Sequence, residues 1–191
     1  MIDDKLLDNF IKLFRGRGDV YGMDSGGCAK LPLNVGTFER HLNGSERIGV
    51  YPIVPINGQA SVVWGCSDFD LGLEQSLHQA RQLHDALKAG GVTSWIECSR
   101  SKGYHVWVFA TEPVSAEIMR NMLLAAHQVA EVPATEVNPK QTTLQHGQYG
   151  NYVRLPYPDY ANETTHNQRV LNPNNFQSVL LICDFVSMAI A

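Results

Sequence analysis

The segment Ala60 to Asp70, Ala-Ser-Val-Val-Trp-Gly-Cys-Ser-Asp-Phe-Asp, constrains the chain more than any other. Its β-branched and aromatic residues favour an extended strand. Alternation puts Val62, Trp64, Cys66, Asp68 and Asp70 on one face and Val63, Gly65, Ser67 and Phe69 on the other. An apolar element that ends in two carboxylates of the same face needs something at its lip to offset their repulsion. All-oxygen donors so spaced suit a divalent cation such as Mg2+ or Mn2+. The bland alternative is that the strand has ended and both carboxylates are solvated loop residues.

The segments after this strand set the fold class. Leu73 to Lys88 has helical spacing in Leu73, Leu77, Ala80, Leu83 or His84, and Leu87, and Gly90-Gly91 stops it. Val92–Ser99 and Tyr104–Phe109 read as a hairpin around Arg100–Gly103. Ser115 caps a helix to about Ala130, with Ile118, Met119, Met122, Leu123, Ala126 and Val129 inward. Thr135–Val137 and Tyr152–Leu155 are short strands. The order from Ala60 is β-α-β-β-α-β, the ferredoxin or RNA-recognition-like unit of α+β proteins. Ahead of it stand a helix over Asp3–Phe14, a mostly loop stretch over 20–46 and a strand over Ile48–Val54. Asn172-Pro173 opens a last helix, with Phe176, Val179, Leu180, Cys183 and Val186 along one side. The expected organisation is a domain over 1–170, with a module at 1–59 and the core at 60–156, then a C-terminal helix over 171–191.

In that topology the end of the first strand lies beside the starts of the third and fourth. Asp68, Asp70, His105 and Glu136 are therefore expected to meet at one end of the sheet. The Arg100-Ser101-Lys102-Gly103 turn offers hydroxyls, backbone N–H groups and positive charge, the groups that hold a triphosphate. The alternative for Lys102 is a solvated hairpin tip, and for His105 a hydrogen-bonded structural ring. Lys140 and Arg154 are the only charged residues between Val137 and Tyr157, so that stretch is locally basic. Taken alone it also reads as an ordinary loop and edge strand. The other histidines show no ligand spacing.

Composition removes several classes. The 191 residues carry 15 Lys plus Arg against 19 Asp plus Glu, a formal charge of −4. That excludes a protein held to nucleic acid by bulk positive charge, though not one that holds it locally. No apolar run approaches the roughly 18–20 residues of a membrane span. The start lacks the layout of a signal peptide, and the four cysteines are widely spaced without a CxxC pair. A reduced, cytoplasmic protein with no membrane partner is expected.

Taken together, the motifs resemble the archaeo-eukaryotic primase superfamily. Its marks are an acidic pair after an apolar strand, a Ser-x-His-like element and a third acidic residue, here Asp68/Asp70, Ser101 to His105, and Glu136. The resemblance is to the primase-polymerase branch of phages, plasmids and TOTE-type conflict systems. It rests on Glu136-Val-Asn-Pro-Lys-Gln141 and Gly150-Asn-Tyr-Val-Arg-Leu-Pro156, and on the stretches Phe14–Tyr21 and His41–Pro52. It implies an α+β primase fold, the β-α-β-β-α-β core joined to an N-terminal α/β module. It implies a template-dependent DNA primase-polymerase that joins (d)NTPs to a 3′-hydroxyl. Asp68, Asp70 and Glu136 would hold two Mg2+ or Mn2+ ions. Ser101, Lys102, His105, Lys140 and Arg154 would bind the triphosphate. Implied partners are single-stranded template, primer and nucleoside triphosphates, with a helicase or helical domain in many relatives. Two other classes compete: a nucleotide-sugar transferase using DxD, and a non-catalytic RNA-recognition-like module with aromatics on an open sheet face.

Overall fold

A computed structural model describes residues 2–191. In chain order its elements are α1 (Asp4–Phe14), β1 (Tyr21–Met23), β2 (Cys28–Ala29), α2 (Val35–Leu42), β3 (Ile48–Val50), β4 (Val54–Ile56) and β5 (Gln59–Phe69). Then come α3 (Leu73–Ala89), β6 (Ser94–Cys98), β7 (Tyr104–Ser115), α4 (Ala116–Ala130), β8 (Glu136–Asn138), β9 (Val153–Arg154), β10 (Arg169–Val170) and α5 (Ile182–Ile190).

The expected core is present. The larger sheet runs β10-β6-β7-β5-β4, with β8 also pairing β5, and all its pairings are antiparallel. β7 takes one edge of β5, while β4 and β8 share the other. The smaller antiparallel sheet runs β2-β1-β3-β9. One face of the larger sheet packs on α3 and α4 through Val62, Phe69, Leu83, Val106, Val108 and Leu123. The opposite face packs on α1, α5 and the smaller sheet through Phe10, Phe14, Trp64, Trp107, Trp95 and Phe185. The sheets do not respect the expected boundaries at 59 and 156. β9 completes the smaller sheet, and β10 widens the larger one.

The alternation of β5 breaks once. Trp64 pairs Phe109 but Val62 pairs Val114, so residues 110–113 bulge opposite Val63. Val62 consequently joins the helix-side core and Val63 joins Trp64 and Cys66 on the other face. Beyond the bulge the rows hold, and Gly65 lies under Met119 and Leu123 of α4.

Several expectations need correction. The 20–46 stretch is more ordered than expected: β1, β2 and α2 take up about half of it. Helix α2 starts at Asn34, whose side chain accepts from Thr37 N at 3.1 Å in a reciprocal capping box. Such a cap contributes about 1 kcal/mol and offsets the Gly36 inside the helix. The strand over Ile48–Val54 is two strands, because Tyr51-Pro52-Ile53 carries the chain from one sheet to the other. The last helix begins at Ile182, not at Asn172. The Asn172 and Asn175 side chains instead accept from Asn174, Gln177 and Ser178 N–H groups in local turns, and Phe176 sits at φ 52. Cys183 is exposed. On α4 the buried stripe is Ala116, Met119, Leu123 and His127, so Ile118 and Val129 face solvent. Leu73 is exposed as well.

His41 fastens α2 to both neighbouring segments. Its Nε2–H donates to Pro156 O at 2.9 Å and its Nδ1 accepts from Ile48 N at 3.2 Å, which requires the neutral ring. Burial drives its pKa down from 6.5 to about 4. The folded state therefore favours the unprotonated form. Its stability contribution is complete above pH 6.5 and is lost as pH falls from there toward 4, at up to about 1.4 kcal/mol per pH unit. Urea unfolding of wild type and His41→Gln across pH 4–7 checks this; the variant should be less stable near neutrality and should lack that share of the acid slope.

Candidate active site

Register builds the site before any side chain is considered. Asp68 stands opposite His105 on one neighbouring strand and opposite Glu136 on the other. His105 in turn stands opposite Glu97. The row Glu136, Asp68, His105, Glu97 thus crosses four adjacent strands, β8, β5, β7 and β6. Paired residues project to the same side of a sheet, so the row presents four ionisable groups in a line.

The middle of the row is tightly coupled. His105 Nδ1 is 2.9 Å from Glu97 Oε2, and His105 Nε2 is 3.6 Å from Asp68 Oδ2. Glu97 is fully buried and also accepts from Trp107 Nε1. Burial alone would discharge the His105 ring. The Glu97 and Asp68 carboxylates on either side outweigh it and raise its pKa to about 10, so the ring is a cation at neutral pH. Outside this pair, Asp68 is part-exposed, and Glu136 Oε1 lies 2.8 Å from Lys140 Nζ.

A cleft of about 210 Å³ opens over the row. Asp68, Asp70, Ser99, Arg100, Ser101, His105, Glu136, Asn138, Tyr152, Arg154 and Gln168 border it. The structure therefore brings together Asp68, Asp70, His105, Glu136, Ser101 and Arg154 of the expected set. Lys140 reaches the rim through Glu136. Lys102 is exposed at the hairpin tip and does not line the cleft.

Two local devices hold the walls. Ser99 N donates to Gly103 O, and Gly103 N donates to Ser99 Oγ, closing the turn that carries Arg100 and Ser101. A Cβ on Gly103 would lie 2.2 Å from Phe69 O, so only glycine lets the turn rest on the end of β5. Opposite, the Tyr152 ring lies across Gly22 and Gly49, where added Cβ atoms would come within 2.2 and 2.3 Å of it. From the turn between β1 and β2, Asp24 Oδ1 is 2.7 Å from Arg100 and 3.5 Å from Arg154.

Glu97, Asn138, Asp24 and Gln168 are cleft or support residues that sequence reasoning did not single out. A signal existed for Glu97: it is the lone charge in an apolar strand, and the turn length sets it opposite His105. Asn138 shares a face with Glu136, and its buried Oδ1 has no hydrogen-bond partner. For Asp24 and Gln168 no local pattern points to the cleft.

Among the described residues, no three acidic, histidine or cysteine side chains already converge on one point as a preformed metal centre. The chemistry of the donors still fits a hard cation. Asp68, Asp70 and Glu136 offer only carboxylate oxygens, and the unpartnered Asn138 Oδ1 adds another oxygen beside them.

The family model for the archaeo-eukaryotic primase domain of TOTE conflict systems matches residues 27–179. The chain belongs to that family. Membership places it among the nucleotidyl-transferring primase-polymerase domains, with the α+β fold described above. No curated protein sequence matches it. Among solved structures, the chain is similar to the polymerase domain of Mycobacterium tuberculosis ligase D in complex with DNA, at 15% identity and a TM-score of 0.47. That match covers 88% of this chain and 69% of the other.

Gly103→Ala should lower stability by about 1–3 kcal/mol, because the obstacle is backbone and cannot rotate away. Gly18→Ala, with nothing within 4 Å of the added carbon, is the control and should stay within about 0.5 kcal/mol. Denaturant midpoints of the two variants measure the contrast.

Proposed function

We propose that the chain is a template-dependent DNA primase-polymerase domain. It transfers a nucleotide from a (d)NTP to a 3′-hydroxyl and releases pyrophosphate. The observation that carries this reading is the cleft itself. Carboxylates at Asp68, Asp70 and Glu136 face donors at His105, Ser101, Arg100 and Arg154 across one small space.

Two divalent ions, Mg2+ or Mn2+, held by Asp68, Asp70 and Glu136, would supply activation of the attacking hydroxyl and neutralisation of the triphosphate. The protein's own groups do the rest. His105 keeps Nδ1 on Glu97 and turns Nε2–H to the cleft, where it donates to a phosphate oxygen. Arg154 and Arg100 exchange Asp24 for phosphate, and the Ser101 hydroxyl and turn N–H groups complete the cradle. Lys140 leaves Glu136 when that carboxylate is recruited and remains at the rim as a second cation for the triphosphate. Lys102, at the exposed tip, meets the outer phosphates or the DNA backbone.

The covered sheet face argues against a non-catalytic RNA-recognition-like module. Trp107 is fully buried, edge-on to Phe14 at 5.1 Å, and Phe109 meets the same ring at 5.2 Å. The Trp107 ring is closed to a base, and the half-buried Phe109 ring is already committed to Phe14. A net charge of −4 leaves no broad basic surface, so single-stranded template and primer are gripped weakly by this chain. A helicase or helical partner supplies the remaining hold. No described helix is long and apolar enough to cross a membrane. A cytoplasmic role in a prokaryote, phage or plasmid completes the proposal.

Primer extension and de novo priming with labelled dNTPs or NTPs, in Mg2+ and in Mn2+, test it. Wild type should extend a primed template. Asp70→Ala should lose at least about a hundredfold in rate while keeping its melting temperature, because Asp70 is exposed. Transfer of a labelled sugar in place of dNTP incorporation would overturn the reading in favour of the sugar transferase.

A further inference from the structure

Glu97 is costly for the fold. It is a carboxylate at zero exposure in the middle of the larger sheet, and its Oε1 has no hydrogen-bond partner. Buried polar groups in folded proteins are nearly always satisfied, so a half-satisfied buried carboxylate calls for a reason beyond packing. Its other oxygen shows what it does. Oε2 accepts from Trp107 Nε1–H, which can only donate, and from His105 at Nδ1, 2.9 Å away. An acceptor facing Nδ1 fixes the proton there and fixes the plane of the ring.

The ring then has one free atom, Nε2, and it points to the cleft beside Asp68. The neighbours of Glu97 leave it little freedom to do otherwise. It is paired across the strands with His105 on one side and with Val170 on the other. Trp107 stands edge-on to the His105 ring at 5.8 Å and so limits its rotation.

We infer that Glu97 is a positioning residue. Through His105 Nδ1 it holds the imidazole so that Nε2–H is the donor aimed at the phosphate group of a bound nucleotide, without touching that nucleotide itself. This deepens the nucleotidyl-transfer reading and rests on it for the identity of the ligand. The Glu97–His105 geometry stands independently of that identity.

The experiment has two arms, both on the full chain. In the first, ring-nitrogen NMR of the wild-type protein without nucleotide follows His105. A proton on Nδ1, with a shift that moves in Glu97→Gln, is expected. A bare Nδ1 in wild type, or an unchanged shift in the variant, overturns the inference whatever the ligand, and the wild-type spectrum answers even if the variant does not fold. In the second, calorimetry measures binding of a dNTP with Mg2+. Glu97→Gln should weaken binding by about tenfold in the wild-type background and by less than about twofold in a His105→Ala background, since it acts through that ring. Equal losses in both backgrounds would reduce Glu97 to a structural residue and overturn the inference. Wild type that binds dNTP, with His105→Ala weakened and Glu97→Gln unaffected, would overturn the role of Glu97 alone. Wild type that binds no dNTP would overturn the nucleotidyl-transfer reading, leaving the first arm to decide the geometry.

Discussion

Antiparallel pairing on both edges of one strand is the constraint on which the rest depends. β5 carries Asp68 only because its apolar body is trapped between two cores, with Trp64 and Cys66 on one side and Phe69 on the other. β7 and β8 then bring His105 and Glu136 to it by register alone. No loop has to search for these residues. A site built on paired strands is held more rigidly than one built on loops. The parts that come from a loop, Arg100 and Ser101, are the parts that must adapt to a ligand.

Charge is handled in the same strand-by-strand manner. Along the row the groups are acid, acid, base and acid, and the single base sits where it can serve two of the acids. The outermost acid, Glu136, borrows Lys140 from one helical turn's distance along the chain. Asp68 is the group left with spare capacity, and it is the one at the floor of the cleft. Stability and chemistry therefore draw on the same pairs, and a change that improves one disturbs the other.

Much of this was legible in the sequence because the core obeys simple periodicity. β5, α3, the β6–β7 hairpin and α4 were all readable, and with them the convergence of Asp68, His105 and Glu136. What escaped reading escaped for physical reasons. The bulge opposite Val63 inverts Val62 and Val63 without changing any residue type. Helix α2 hides behind Gly26, Gly27, Pro32 and Gly36, and shows itself only through the Asn34–Thr37 box. Ile118 and Val129 look like core by composition, but the buried stripe runs through Met119, Leu123 and His127, which bonds Ser67, and leaves them outside. Strands as short as β9 and β10 have no pattern of their own and exist only as partners of longer ones. Asp24 and Gln168 reach the cleft through tertiary folding that no local spacing encodes.

Asp24 has a consequence for how the cleft meets an electrolyte. The two arginines beside it share one carboxylate of the same molecule, so their net charge is one and not two, and they hold less of the diffuse ion atmosphere than two bare arginines would. An anion that takes its place displaces a tethered group and so releases fewer dissolved ions to the bulk. Release of small ions is what makes phosphate binding fall steeply with added salt. Occupation of this cleft should accordingly be less sensitive to ionic strength than the count of its arginines suggests. Its selectivity should come from how many oxygens an anion can present at once, which a single carboxylate cannot match.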